Sequence, residues 1–357
     1  MRLEAGLLAA RATGAVARLA GRGGTSLPGK VLIRAEPRAI SRLAARLPHG
    51  SVVVSATNGK TTTAAMVASI LARTGTRLVH NRAGANMAGG VAAALAAERG
   101  DLGLFEVDEF WLGPVTAELA PRAVLLANLF RDQLDRYGEL EIIADRWAAI
   151  ADGLPAGTGL VLNADDPLVA DLGRRREAIY FGVEDDGLAL PEMQHASDSK
   201  HCRRCGHAYV YEAAYLAHLG HYACPSCGAR RPDAAVAATA VELRGIRSAA
   251  FTLRAPEGER RIELPLPGLY NVYNALGAAA LCLHLGAGLD DIAAGLAAVA
   301  PAFGRAETLD LGRPTSILLV KNPAGANEVL RTLALEGTQL DLFGILNDRT
   351  ADGRDVS

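Results

Sequence analysis

Residues 50–73 read GSVVVSATNGKTTTAAMVASILAR. The first seven, GSVVVSA, form a short apolar run of the kind that makes a buried strand. Residues 61–73, TTTAAMVASILAR, carry a helical pattern that Gly75 closes. Between them, Ala56-Thr57-Asn58-Gly59-Lys60-Thr61-Thr62-Thr63 carries the chain from strand to helix. That context is what a phosphate-binding loop requires. Free N–H groups at a helix N-terminus point at an anion, and the helix dipole favours negative charge there. Lys60 can then bridge the β- and γ-phosphates of a nucleotide, and the Thr61 hydroxyl can ligate magnesium. The common form of the loop has Gly six residues before its Lys; here Val54 stands there.

Outward from this segment, residues 102–107, 123–129 and 159–163 read as further buried strands, with a helix over 139–152. Strands alternating with helices predict an α/β fold with a mostly parallel sheet covered on both faces. Residues 185–235 break that rhythm and read as an inserted ribbon. Residues 249–264 read as antiparallel strands and 271–300 as Ala-rich helix. A boundary is expected near 308–314. After it, SILLV (316–320), a helix near 325–336 and DLFGIL (341–346) restart an α/β pattern. An α/β unit of that size is marginal alone, so a truncated sequence is expected.

Composition bounds the rest. Half of the 357 residues are hydrophobic and 21% are charged, which supplies a core and excludes a wholly disordered chain. A formal net charge of −2 gives no global basic field for nucleic acid or an anionic membrane. No apolar run reaches the ~18 residues of a membrane span. Arg2, Arg11, Arg18 and Arg22 interrupt the Ala-rich N-terminus, which lacks a signal-peptide core and reads as a surface or docking helix, with weak membrane-surface contact as the alternative. A cytoplasmic protein is expected. Lysine occurs only at positions 30, 60, 200 and 321, which limits the lysines that can do chemistry.

Four of the five cysteines form two Cys-x2-Cys pairs, Cys202/Cys205 and Cys224/Cys227. Two residues between thiolates let one tight turn present both sulfurs to one metal, so the tetrad reads as a tetrahedral zinc site. Gly206 and Gly228 follow each pair, where such a turn often needs positive φ. With all four positions taken by protein, the zinc is structural. Two disulfides are the rival, disfavoured in a cytosolic setting. Cys282 sits in a helical run and reads as core.

An ordered series of segments resembles the Mur ligase family, including its folylpolyglutamate synthase relatives. Besides the phosphate loop, Phe105-Glu106-Val107 resembles the strand whose Glu holds magnesium. Asn128-Leu129-Phe130-Arg131-Asp132-Gln133-Leu134-Asp135 resembles an Asn-x3-Asp-His-Leu-Asp segment. Asn163-Ala164-Asp165-Asp166-Pro167 matches an Asn-Ala-Asp-Asp motif. Gly268-Leu269-Tyr270-Asn271-Val272-Tyr273-Asn274-Ala275 matches an Asn-x2-Asn-Ala element near the adenine, and Gly304-Arg305-x-Glu307 the Gly-Arg-x-Glu segment that closes the central domain. Taken singly, Asn163 to Pro167 could be a strand-ending turn, Asn271 a helix cap and Glu106 a solvated strand end. Their shared order argues against those readings.

The resemblance implies an amide-forming ligase that uses ATP and Mg2+ to phosphorylate a carboxylate. It implies nucleotide contacts at Thr57, Asn58, Gly59, Lys60, Thr61, Thr62, Asn128, Asn271, Asn274 and Arg305. Magnesium falls to Thr61 and Glu106, and charge stabilisation to Lys60, Glu106 and Arg305. The implied organisation is an N-terminal helical segment over 1–48, a central ATP-binding domain over 49–310 with a zinc ribbon inserted at about 198–232, and the start of a C-terminal domain over 311–357.

The departures narrow the reading. Too few residues precede the loop for a domain that grips a uridine nucleotide. Gln133 stands where the family has a magnesium-binding His, and no Lys between Lys60 and Lys200 can serve as the carbamylated lysine. Lys321-Asn322-Pro323 replaces a His-Asn/Thr-Pro element. These losses, the four cysteines, Asn347-Asp348 and Asp352-Gly353-Arg354-Asp355 resemble the branch that serves as synthetase subunit of lipid II isoglutaminyl synthases. That branch implies amidation of the D-glutamate α-carboxylate of the lipid II stem peptide in peptidoglycan synthesis. Its ammonia comes from a GatD-like glutamine amidotransferase partner, and its lipid II substrate lies at the membrane surface. Asp355, then Asp352, is the candidate to complete the partner's Cys–His site, although Asp352-Gly353 could be only a turn. Two rivals remain. One is a stand-alone ligase adding an amino acid. The other is an ATPase whose ribbon binds nucleic acid through Arg203, Arg204, Arg230, Arg231 and the nearby Tyr209, Tyr211 and Tyr222.

Overall fold

The structure is a computed structural model. It describes residues 2–19, 26–82, 84–131, 140–193, 197–300, 307–310, 312, 314–337 and 340–345. Its centre is a nine-stranded mixed sheet. The N-terminal run makes β1 (Ser51–Ser55), followed by α4 (Lys60–Arg73), β2 (Leu78–His80), α5 (Ala88–Ala97), β3 (Leu102–Glu106), α6 (Leu112–Leu119), β4 (Ala123–Leu126), α7 (Leu140–Gly153), β5 (Gly159–Asn163), α8 (Pro167–Ala170) and β6 (Ile179–Val183). The sheet then gains β9 (Val236–Arg244), β10 (Ser248–Ala255) and β11 (Gly258–Leu264). The strand order is β11-β10-β9-β6-β5-β4-β1-β3-β2. Every pairing from β9 through β6, β5, β4, β1 and β3 to β2 is parallel; β9–β10 and β10–β11 are antiparallel.

The all-apolar reading of β1 has a direct cause. Val52 and Val54 face one core with Met66, Val67 and Ile70 of α4, and with α9 (Leu269–His284). Val53 faces the other core with Val91 of α5, Val115 of α6 and Trp147 of α7. A central parallel strand is buried on both faces and cannot alternate. β1 lies between β3 and β4, so the chain leaves it to build the sheet in both directions. The crevice beyond its C-terminal end is where such sheets bind ligands.

At the N-terminus, α1 (Arg2–Leu19) is amphipathic in use. Leu3 and Ala10 join the second core beside Leu32 of α2 (Leu27–Ala35), whereas Leu8 and Val16 are exposed. Short α3 (Ala39–Ala44) adds Ile40 and Leu43 to the same core.

Several expectations are revised. β2, β6 and α5 lay outside the sequence reading, as did β9. The Ala-rich β9 and the Gly-containing α5 carry weak local propensities, and both are set by packing. The helical run after 270 divides into α9 and α10 (Leu289–Ala297), with Gly286 at φ +92° in the break. The expected strand over 316–320 is shorter and begins and ends earlier. β13 (Pro314–Ile317) pairs antiparallel with β12 (Glu307–Asp310), and 318–320 carry no strand. Residues 341–345 are not a strand either: Leu342, Phe343 and Ile345 are exposed and pair with no strand among the described residues. The expected helix near 325–336 is α11 (Pro323–Ala334), capped by Asn322, whose Oδ1 accepts from Gly325 N at 2.9 Å.

Candidate active site

Strand β1 ends at Ser55, and the next residues form a braced loop. Asn128, just past β4, clamps it at both faces: Asn58 N donates to Asn128 Oδ1 (2.9 Å) and Asn128 Nδ2 donates to Asn58 O (3.0 Å). Phe130 N donates to Thr57 Oγ1 at 3.1 Å. Gly59 has φ +83°, a left-handed conformation that only glycine adopts freely. A Cβ there would also collide with Asn274 of α9. Helix α4 starts at the next residue, so its first amides face the crevice.

Lys60 is buried and its Nζ donates to Glu109 Oε2 at 2.9 Å and to the Ala56 carbonyl. Burial alone would lower its pKa, but Glu109, with Asp108 and Glu106 beyond it, outweighs burial and holds the ammonium above its ordinary value. Lys60 is therefore a fixed positive charge. Thr61 Oγ1 donates to Glu106 Oε1 at 3.1 Å, so the two expected magnesium ligands stand side by side. Two hard oxygen donors at the edge of a phosphate loop are what magnesium takes beside a nucleotide's phosphates.

The loop opens on a cavity of about 290 Å³ lined by Thr57 to Thr62, Glu106, Asn128, Asn271 and Asn274. Asn274 holds its place through Thr63 Oγ1 (3.3 Å) and Asn271 Oδ1 (3.1 Å), and Asn271 Nδ2 donates to Pro267 O (2.8 Å). The structure thus brings together nine of the ten expected nucleotide residues. Arg305 lies outside the described residues, as do Asp352, Asp355, Gln133 and Asn347-Asp348.

The Asn-Ala-Asp-Asp segment has a different place. Fully buried Asp165 accepts from Arg231 Nε (2.6 Å), Tyr273 OH (2.7 Å) and Val183 N (2.9 Å). Burial and Asp165 together push the Tyr273 phenol well above its usual range, so it remains a donor. Asp166 caps α8 and accepts from Leu129 N at 2.8 Å. These carboxylates join the sheet, α9 and the ribbon, and neither lines the cavity.

The ribbon carries the cysteines at one end of a hairpin, β7 (Val210–Leu216) and β8 (Leu219–Ala223). The sulfurs of Cys202, Cys205, Cys224 and Cys227 all lie within 4.8 Å of one another. A tetrahedral zinc with bonds of ~2.3 Å needs sulfurs ~3.8 Å apart, and the set fits it. Gly206 and Gly228 adopt φ +75° and +72°, as the two turns require, and their amides donate to the Cys202 and Cys224 carbonyls. Cys282 is a buried core thiol.

Three features escaped the sequence. Glu109, the partner of Lys60, follows no motif. Asn322 exchanges hydrogen bonds with Asn58 at 3.3 Å, joining α11 to the loop. Leu216 and Leu219, at the hairpin tip, line the cavity. Each depends on long-range packing that local spacing does not encode. Among the described residues no helix is long and apolar enough to cross a membrane.

Known proteins match this arrangement. A family described as the Mur ligase middle domain matches residues 54–282, and one described as the MurT ligase C-terminal region matches 319–357. The MurT subunit of the glutamine-hydrolysing lipid II isoglutaminyl synthase of Staphylococcus aureus (strain N315) is 32% identical over 346 residues, which cover 95% of this chain and 76% of that protein. The corresponding Streptococcus pneumoniae subunit is 33% identical over 99% of this chain and 78% of its own. Among solved structures, a pseudomurein peptide ligase type C from Methanothermus fervidus superposes with a TM-score of 0.69 at 29% identity, covering 82% of this chain and 57% of that one. MurF from Acinetobacter baumannii, at 20% identity and a TM-score of 0.64, shares the fold.

Proposed function

The chain belongs to the Mur ligase family, in the branch of the MurT subunits; from that membership we propose that it activates a carboxylate with ATP and directs its amidation in peptidoglycan synthesis. The substrate is the D-glutamate α-carboxylate of the lipid II stem peptide. One carboxylate oxygen attacks the γ-phosphorus, the bond from that phosphorus to the bridging oxygen breaks, and ADP leaves. Ammonia then attacks the acyl carbon, the bond to phosphate breaks, a proton is lost and D-isoglutamine remains.

The observation that carries this reading is the pairing of Lys60–Glu109 and Thr61–Glu106 at one phosphate loop. Phosphoryl transfer needs positioning and charge neutralisation more than covalent help. Lys60 moves from Glu109 to the β- and γ-phosphates, and the amides after Gly59 hold the phosphate oxygens. Thr61 and Glu106 hold magnesium, which supplies further positive charge. Arg305 shares the charge neutralisation of the transferring phosphate. The cysteine tetrad holds a structural zinc.

Ammonia comes from a glutamine-hydrolysing partner subunit of the GatD type, at the cytoplasmic face of the membrane. Asp355, with Asp352 as the second candidate, orients the partner's catalytic His, as an acidic residue does in a hydrolytic triad. The division of the chain into 1–48, 49–310 and 311–357 follows the same reading.

The test is an amidation assay with purified chain, glutaminase subunit, lipid II, glutamine and MgATP. D-isoglutamine is expected in step with ADP, and Asp355→Asn is expected to cut glutamine hydrolysis while leaving ammonium-driven amidation. Product formed from a free amino acid without any glutaminase would replace this reading with a stand-alone ligase.

A further inference from the structure

The cavity has a second end that no sequence motif announces. Helix α11 leaves the phosphate loop at Asn322, and Glu328 lies six residues further on, about 9 Å along the axis at 1.5 Å per residue. Glu328 lines the cavity together with Leu216 and Leu219 of the ribbon hairpin, with Leu266 just before α9 and with Tyr270 at its start. These walls are largely apolar and aromatic, with Glu328 the acid that α11 supplies.

Glu328 is 2% exposed, and its Oε1 has no hydrogen-bond partner among the described residues. Arg331 Nη1 lies 3.7 Å from that oxygen but donates elsewhere. Nη1 bonds to the Tyr215 carbonyl at 2.8 Å and Nη2 to the Leu188 carbonyl at 3.2 Å. The arginine thus fastens α11 to the ribbon hairpin and leaves Oε1 of Glu328, a residue of the cavity wall, without a donor. Buried acceptors without a donor are rare and costly. Burial, against a smaller opposing pull from Arg331, pushes the Glu328 carboxyl up to about 7. A donor entering the cavity would relieve that cost.

Resting on the reading of this cavity as an ATP site, we propose that Glu328 recognises the nucleoside, its free oxygen accepting a hydrogen bond from the adenine 6-amino group or a ribose hydroxyl. The apolar walls supply contact area for a flat base, and the unsatisfied Glu328 acceptor supplies direction. Above pH about 8, where the carboxyl is ionised, a 6-oxo base would set acceptor against acceptor, and a site built around such a bond rejects the analogue that lacks the donor, so the comparison is made at that pH.

The experiment is a calorimetric titration of the full chain with the magnesium complexes of ATP, ITP, 2′-deoxy-ATP and 3′-deoxy-ATP. Wild type, Glu328→Ala and Glu328→Gln are compared at matched zinc content and melting temperature. Glu328→Ala should weaken ATP at least tenfold, and Glu328→Gln, which keeps an acceptor oxygen, should recover most of that loss. If the amine is the donor, ITP binds wild type at least tenfold more weakly than ATP, and the alanine variant brings the two together. If a hydroxyl is the donor, one deoxy analogue takes that part. ATP binding within twofold of wild type in Glu328→Ala overturns the proposal, as does an equal loss for all four nucleotides. A wild-type chain that binds no ATP would instead defeat the ATP reading itself.

Discussion

Around Lys60 the polar groups face a cavity; around Cys202 they face one another. In the phosphate loop, Lys60 is held by Glu109 and Thr61 by Glu106, and both Lys60 and Thr61 line the cavity where a ligand can take up their polar ends. In the ribbon, four sulfurs within 4.8 Å leave a metal no open position. The first arrangement suits turnover and the second suits holding a shape. The two are joined by Asp165, which binds Arg231 from the ribbon and Tyr273 from the helix behind the loop. The hairpin then carries Leu216 and Leu219 into the cavity wall. The ribbon is therefore read as a brace for the nucleotide pocket.

Removing the metal should have the largest effect on this contrast. Structural zinc contributes on the order of 10 kcal/mol at pH 7 in small sites. A chelator, or Cys205→Ser, is expected to release the zinc, expose the ribbon thiols to titration and lower the melting temperature. An undiminished melting temperature after complete zinc removal would break the comparison. Asp165→Asn comes next. It preserves shape but leaves Arg231 with Glu184 as its remaining carboxylate partner, and denaturant titration should show a loss of about 3 kcal/mol. A loss within ~0.5 kcal/mol would mean that the junction does not bind the two regions together. Gly59→Ala is the smallest in stability, about 2 kcal/mol for the left-handed backbone. Its Cβ displaces Asn274, so ATP affinity should fall at least tenfold while zinc content stays at one per chain. Unchanged ATP affinity would show that the loop does not contact the nucleotide.

The same two regions show what the sequence could tell. The phosphate loop and the cysteine pairs are local: strand, turn and helix, or two sulfurs on one turn, lie within a few residues, and both were legible with their glycines. The sheet centre was legible because β1, β3, β4 and β5 are unbroken apolar runs. Strand β9 and helix α5 were not, since Ala and Gly say little until packing decides. Nor could spacing place Glu109 on Lys60 or bring Glu328 and Leu216 to one pocket; those meetings depend on segments far apart in the chain. The Asn-Ala-Asp-Asp motif was visible, but its role as a structural junction emerged only from its three hydrogen-bonded partners. The expected strand is missing over 341–345 for a related reason: an apolar run is a strand only when a neighbour pairs with it.

The most direct test of the central claim is the binding of MgATP to the zinc-loaded chain, measured by calorimetry for wild type and Lys60→Ala. One nucleotide per wild-type chain is expected. The variant should lose roughly 100-fold in affinity with its zinc and fold intact, the scale of a charged hydrogen-bond partner removed. Equal affinity in the two proteins, or no binding in either, would contradict it.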